Sequence, residues 1–404
     1  MRIMLDNSKP HLTAVWSRDI DAARLAGRPR IIEAIRKSMS KSHQVIHARL
    51  YSLVELRTVS AVVSAARTAL RSLLAGCLPS FQCLLFCDRG SLQSILQQLQ
   101  TCPPDTLYCD GVRTFFLLAG LKKLRSQMRI VVDLDDLMSR RMQLLGSSKT
   151  ALSLGYQHER IPVWLSKTIA NSFVSGLVAR YEQAALEHVE STIGHWVDAV
   201  VLLSDVEGRI LEERYRRHGC KAKVWVIPPP MDVVASPKSY EAFTNYFFLG
   251  TDALPQNRLT INLILDIWRS IRPSAEIHIY GNMVGSWPAV PGVIFRGYAP
   301  SVEHIYADGT VLFAPGRLRG GIKTKVIEAF AHGCAVVGND ISFEGLGLDN
   351  YPLLFQSDQE MNSIVRSPLT YLPHMKNAAL LGQQHVKTHF SREHFEAEWC
   401  KVLG

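Results

Sequence analysis

The chain has 404 residues, of which 47% are hydrophobic and 20% charged, with a formal net charge of +9. That length exceeds one ordinary hydrophobic core and predicts two domains, while the composition is globular and excludes a disordered chain. No window supplies about 20 uninterrupted apolar residues, and MRIMLDNSKPHL lacks a long apolar segment, so neither a membrane span nor a secretory signal is expected.

Eight cysteines, at 77, 83, 87, 102, 109, 220, 334 and 400, follow no repeated short spacing and have no histidine pattern beside them. Reduced thiols in a cytosolic protein, without a metal site, are the expectation. The basic excess would attract nucleic acid, an anionic membrane or small anions. No helix-turn-helix spacing, zinc-finger cysteine set or aromatic RNA-binding consensus is present, which sets nucleic acid aside.

His11 to Trp16 reads as a first strand, the polar loop through Gly27-Arg28-Pro29-Arg30 as the entry to a helix from about Ile31 to Ser40, and Gln44 to Leu50 as a second strand. Residues 53–78 form one long helical pattern, with Leu56, Val59, Val63, Leu70 and Leu73 on one face and Arg57, Arg67 and Arg71 elsewhere. Such a helix either packs on a core or lies in a membrane interface, and its ordinary amphipathicity favours the core. PSFQCLLFCD is expected to be a buried strand ending at Asp88. The helix SLQSILQQLQ, a short strand from Asp105 to Asp110, a helix to about Leu124 and the strand RIVVDLDD at 129–136 follow.

Residues 145–176 begin polar and irregular, through Gly146-Ser147-Ser148 and a Pro162-Val163-Trp164 turn. A helix from Leu177 to about Glu190, a strand ending at Ser204 and a helix opened by a Ser204/Glu207 capping box come next. KVWVIPPPMD closes a first domain of residues 1–232, and residues 229–239, rich in Pro, Ser and Lys, read as a linker. Strands alternating with helices at this rhythm predict a parallel, doubly wound sheet.

The end of the strand at 129–136 carries Asp133 and Asp135. An apolar strand followed by Asp-x-Asp suits a Mg²⁺-diphosphate site, or the paired aspartates of a phosphatase resembling the haloacid dehalogenase family. Position argues against both, because the phosphatase pair normally opens its fold and several elements precede it here. A cleft-lining or structural role is the preferred reading of the two carboxylates.

The second domain, residues 233–385, starts with the buried strand YFFLGT at 246–251 and continues through LPQNRLTINLILDIW, EIHIYGN and VIFRGYAP. It culminates in TVLFAPGRLRGGIKTKVIEAFAHGCAVVGNDISFEGLGL at 310–348. A strand breaks at Pro315-Gly316, basic residues lead to Gly320-Gly321, a helical pattern runs from Ile322 to Gly333, and a second strand follows at Ala335. A glycine turn before a helix lets backbone N–H groups approach an anion, with the helix dipole pointing the same way. Arg317, Lys323 and Lys325 add full charges, and Glu328 could accept hydrogen bonds from a ribose diol. SREHFEAEWCKVL supplies a C-terminal helix, within residues 386–404.

The segment GGIKTKVIEAFAHGCAVV followed by EGL at 344–346 resembles the donor-binding signature of GT-B glycosyltransferases similar to glycosyltransferase family 4. The resemblance implies two Rossmann-like doubly wound domains facing a cleft, with the C-terminal helix crossing back to the first. It implies a sugar moved from a nucleoside diphosphate sugar to a lipid-linked or polysaccharide acceptor, with retention of configuration and no cofactor or metal. Glu328 would hold ribose. The amides of Gly320, Gly321 and Ile322, with Arg317, Lys323, Lys325 and Arg258, would meet the diphosphate. Gly27, Arg28, Asp133 and Asp135 would line the acceptor side, and residues 145–176 would form an acceptor-side insertion. The family's fullest motif has a glutamate where Gly320 stands, and no catalytic residue is named. A homologue that binds nucleotide sugar without turnover, and the Asp133/Asp135 phosphatase, are the alternatives. A cytoplasmic enzyme, peripheral on the inner face of an anionic membrane, would account for the charge.

Overall fold

The computed structural model describes residues 9–20, 28–121, 128–147, 172–234, 236–299 and 301–404. Gly27, Ser148 and the Pro162-Val163-Trp164 turn lie outside the described residues. The chain divides into two compact units: residues 1–143, 177–229 and 393–404 form the first, and 144–176 with 230–392 form the second.

In chain order the first unit contains β1 (His11–Trp16), α1 (Arg28–Ser42), β2 (Gln44–Arg49), α2 (Leu53–Leu56), α3 (Val59–Leu74), α4 (Phe81–Leu84), α5 (Arg89–Thr101), β3 (Thr106–Asp110), α6 (Phe115–Gly120) and β4 (Arg129–Asp135). The chain then runs through α7 (Met138–Ser147), α8 (Ser172–Ile193), β5 (Ala199–Leu202), α9 (Asp205–His218) and β6 (Lys223–Val226). All six strands pair in parallel in the order β2-β1-β3-β4-β5-β6. The central strands β3 and β5 are buried throughout, as unbroken apolar runs covered on both faces must be, whereas edge strand β2 is half-exposed along most of its length.

The second unit contains β7 (Asn245–Leu249), α10 (Pro255–Ile271), β8 (Ile277–Tyr280), β9 (Val293–Gly297), α11 (Val302–Ile305), β10 (Thr310–Ala314), α12 (Thr324–Ala331), β11 (Ala335–Gly338), α13 (Asp340–Phe343), α14 (Asp358–Arg366) and α15 (Leu372–His389). Its five strands are parallel in the order β11-β10-β7-β8-β9. A core that includes Tyr246, Phe247, Trp268, Phe313 and Phe330 fills the space between sheet and helices. Helix α16 (Arg392–Leu403) belongs, apart from its first residue, to the first unit. There Thr106 Oγ1 donates to Leu403 O at 3.0 Å, Arg129 Nε donates to Val402 O at 2.8 Å, and the Trp399 ring lies 5.9 Å from Tyr108.

Three local expectations are overturned. PSFQCLLFCD is not a strand: Phe81–Leu84 is a helical turn, and Glu182 on α8 is the reason. Its carboxylate accepts from Ser80 Oγ at 2.7 Å, Phe81 N at 2.8 Å and Gln82 N at 3.0 Å, satisfying N–H groups that a helix start leaves open. A short apolar run fits either period, and a partner 100 residues away decided it.

The single helix expected over 53–78 is broken. Arg57 takes a left-handed φ of 48°, Thr58 caps α3 by accepting from Ala61 N at 3.2 Å, and of the residues of α3 only Ala61 is buried. The expected core packing of its apolar face does not occur. The Ser204/Glu207 capping box is also absent, because Glu207 is buried and Arg140 lies 3.8 Å from it, while Ser204 makes no side-chain cap. A complete box forms instead at Ser52 and Glu55, with Ser52 N donating to Glu55 Oε2 at 2.8 Å and Glu55 N donating to Ser52 Oγ at 3.3 Å.

Candidate nucleotide-sugar site and an ion cluster at the two switch points

In the second unit the strand order reverses between β7 and β10, and an open parallel sheet binds ligands at the carboxyl ends of the strands flanking such a point. The loop from β10 to α12 carries the glycine pair to this place. Gly320 and Gly321 have φ of 95° and 65°, a left-handed backbone that suits glycine. Helix α12 therefore starts at Thr324, two residues later than the apolar spacing predicts, and Ile322 packs on the core ahead of it.

Side chains hold this loop from several directions. Glu344 Oε1 accepts from Gly320 N at 3.3 Å, its Oε2 pairs with Arg319 at 3.1 Å, and Arg319 also pairs with Asp340. Asn339 accepts from Gly316 N at 3.0 Å and donates to Gly316 O at 2.8 Å. Lys323 Nζ donates to Gly320 O at 2.7 Å and Gly321 O at 3.2 Å. In this arrangement the Gly320 amide is held by Glu344, and the Lys323 ammonium is folded onto its own loop.

Lys325, in the first turn of α12, is placed differently. Its Nζ donates to Asn257 Oδ1 at 3.0 Å and lies 4.1 Å from the centroid of the Phe248 ring. Asn257 is fixed by its Nδ2 donating to Thr251 O at 3.0 Å. Burial, with repulsion from Lys323 second, pushes the Lys325 pKa down to about 7. Glu328 is half-buried three residues further along α12, a spacing that keeps two side chains on neighbouring parts of one face. Arg317 and Arg258 are exposed, Arg258 in the first turn of α10. Nearby, Asp252 accepts from Val284 N at 2.6 Å, Gly285 N at 2.9 Å and Trp287 Nε1 at 3.0 Å. Burial favours its neutral form, but these donors and the charge of Arg258 outweigh it and lower the pKa.

The first unit has its own reversal, between β1 and β3, and there the structure gathers three aspartates around one arginine. Arg28, the first residue of α1, reaches Asp133 Oδ2 at 2.5 Å, Asp135 Oδ1 at 3.1 Å and Asp110 Oδ1 at 3.5 Å. Tyr108 Oη donates to Asp133 at 2.9 Å, Ser17 Oγ donates to Asp110 at 3.0 Å, and Arg18 lies 3.2 Å from Asp110. Burial would lower the Arg28 pKa, but Asp133 and Asp135 raise it well above its ordinary value. Burial raises that of Asp133 despite Arg28. Asp110 is held low: its burial is outweighed by Arg18 and Arg28.

Asp135 has φ of 68°, with its N–H donating to Asp133 Oδ1 at 3.0 Å, a local bond that helps an aspartate occupy this conformation. The sequence pointed to Arg28, Asp133 and Asp135 but not to Asp110, Arg18, Tyr108 or Ser17. Asp110 closes a strand as Asp135 does, and that shared position was the signal available. Asp133 is fully buried and bound by Arg28 and Tyr108, so it is not disposed as a phosphatase nucleophile, and among the described residues no group of His, Cys, Asp and Glu side chains is arranged to hold a metal ion.

Two parallel doubly wound sheets, each with its switch point, define the GT-B fold of glycosyltransferases. Residues 245–362 match the family model described as glycosyl transferases group 1. HepE of Anabaena, solved in complex with UDP and glucose, aligns over 98% of this chain and 99% of its own with a TM-score of 0.62 at 11% identity. Sucrose-phosphate synthase of Thermosynechococcus elongatus aligns over 98% of both chains with a TM-score of 0.57 at 12% identity. TarM aligns over 78% of this chain with a TM-score of 0.50 at 13% identity, and the match spans 58% of TarM. No curated protein sequence matches the chain.

Proposed function

We propose that the protein transfers a sugar from a nucleoside diphosphate sugar, held by the second unit, to a glycan or lipid-linked acceptor. The observation that carries this is Lys325: an ammonium at the switch point, bound to a neutral amide and an aromatic face, with its pKa pushed down to about 7. Such a group gains most from an incoming anion. Glu328, on the same helix, is assigned to the ribose diol. Exposed Arg317 and Arg258 complete the charge around the diphosphate, with the Gly321 and Ile322 amides. HepE, solved with UDP, and the group 1 model over residues 245–362 support the same reading.

In the transfer, the bond from the anomeric carbon to the diphosphate oxygen breaks and its electron pair leaves with the diphosphate. The acceptor oxygen bonds the anomeric carbon and its proton passes to the departing phosphate. Lys325 and the arginines stabilise the charge that develops, and preorganised charge of this kind is commonly the largest catalytic contribution. We assign this role to the side chains rather than to a metal, and retention of configuration to the family resemblance. In the first unit, Asp135 is assigned to the acceptor, because its side chain is 20% exposed whereas Asp110 and Asp133 are fully buried.

The test is calorimetric titration with UDP, GDP, ADP, CDP and TDP without metal. One nucleotide is expected to bind, and Glu328→Ala to weaken it by about 1.5–3 kcal/mol, the range for hydrogen bonds to a charged group. Binding only with Mg²⁺, or binding indifferent to Glu328, would overturn the assignment. Transfer from a radiolabelled donor then separates an enzyme from a homologue that binds without turnover.

A further inference from the structure

Helix α3 presents its apolar side outward. The residues that face the first unit are small or hydroxylated: Ala61, Ser64, Ala65, Thr68, Ala69 and Ser72. The opposite face carries Val59, Val62, Val63, Leu70, Leu73 and Leu74, all exposed, with Val59 81%, Leu70 59% and Leu74 79% accessible. At 100° per residue, Arg67 and Arg71 fall along one edge of this stripe. Exposed Arg57 precedes the helix, and exposed Leu78 and Phe81 follow it. No aspartate or glutamate occurs from Leu56 to Cys87.

A soluble surface rarely leaves six large aliphatic side chains on one helix face in water. A second copy of the chain would cover the stripe, but that contact is isologous and would bring the arginine edges of two copies near one another. An anionic surface takes both features together, the aliphatic stripe in its apolar boundary and the arginines at its phosphates. The helix of 16 residues, about 24 Å long at 1.5 Å per residue, would lie flat. Among the described residues no helix is long and apolar enough to cross a membrane.

We propose that α3 docks the protein on the surface of an anionic lipid bilayer, with Val59, Val62, Leu70, Leu73 and Leu74 inserted among the acyl chains and Arg57, Arg67 and Arg71 against lipid phosphates. The docking is a property of the first unit and does not depend on the donor site.

The full chain is sedimented with vesicles of phosphatidylcholine, with and without phosphatidylglycerol. Wild type is expected to pellet with the anionic vesicles, less so as salt rises, and only weakly with phosphatidylcholine. The double variants Leu70→Glu with Leu73→Glu, and Arg67→Glu with Arg71→Glu, are each expected to reduce the vesicle-bound fraction by about tenfold or more. All four side chains are exposed, and unchanged melting temperature and nucleoside diphosphate binding would show that fold and donor site are intact. The charge-reversal variant keeps the test open if the leucine variant fails to fold. The proposal is overturned if wild type stays in the supernatant with anionic vesicles, or if both variants pellet as wild type does. It is also overturned if sedimentation velocity shows a dimer that Leu70→Glu with Leu73→Glu splits, since a second copy then covers the stripe.

Discussion

Lys325 Nζ donates to Asn257 Oδ1 at 3.0 Å, joining the helix after β10 to the helix after β7 across the switch point of the second sheet. The amide supplies an acceptor without a charge, so the ammonium keeps its appetite for an anion. With a pKa of about 7, Lys325 is mostly neutral at pH 8 in the free protein, and a bound diphosphate would restore its proton. Nucleoside diphosphate binding at pH 8 is expected to take up about one proton, and affinity to fall by up to about tenfold per pH unit above 7. Titration calorimetry in buffers of different ionisation enthalpy measures the uptake, and Lys325→Gln is expected to abolish it.

The same lysine has a consequence for stability. A lysine whose folded pKa lies below its unfolded value binds fewer protons when folded, so stability rises with pH between about 7 and the usual lysine value near 10.4. Lys325→Met is expected to remove that part of the slope in urea denaturation followed at several pH values.

Arg28→Ala would leave buried Asp133 without the cation that pairs with it, and Asp110 with Arg18 and Arg113 as neighbouring cations. Removing one partner of a buried pair costs about 3–5 kcal/mol, and urea denaturation is expected to report a loss in that range. The second substitution Asp133→Asn, which removes the orphaned charge, is expected to recover a good part of it.

Glu182→Ala strips three donors of their acceptor, two of them backbone N–H groups at the start of α4. A loss of about 1–3 kcal/mol per unsatisfied buried group is expected. Ser204→Ala, by contrast, is expected to cost less than Glu182→Ala, because Ser204 makes no side-chain cap. Thermal melting of the two variants side by side checks both.

Gly382 on α15 faces the Phe330 ring of α12, and a methyl group there would overlap it. Gly382→Ala is expected to cost about 1–3 kcal/mol by overpacking. Because Phe330 sits on the helix that carries Lys325 and Glu328, nucleotide affinity is expected to fall as well, measured by the titration used for Glu328→Ala.

Strand periods and the glycine-lysine-glutamate order made the parallel sheets and the strand-turn-helix segment at 310–348 readable from the residues. What escaped was decided by partners distant in sequence. Phe81–Leu84 turned helical because Glu182 met its N–H groups, and Glu207 left its cap to lie buried near Arg140. Asn257 stood only as one residue of LPQNRLTINLILDIW, though it fixes Lys325 from 68 positions away. The apolar spacing of α3 was visible, but periodicity reports that a helix has two faces without saying which one meets the protein.

The first sheet is closed by residues made after the second unit. Trp399, Val402 and Leu403 are buried against a unit whose other parts end at Pro229. During synthesis, β3 and β4 must therefore wait, with Tyr108 and Thr106 uncovered, while the whole of the second unit is made. Order of translation and order of completion are reversed, and a nascent first unit needs a chaperone or its own reserve of stability to survive the interval.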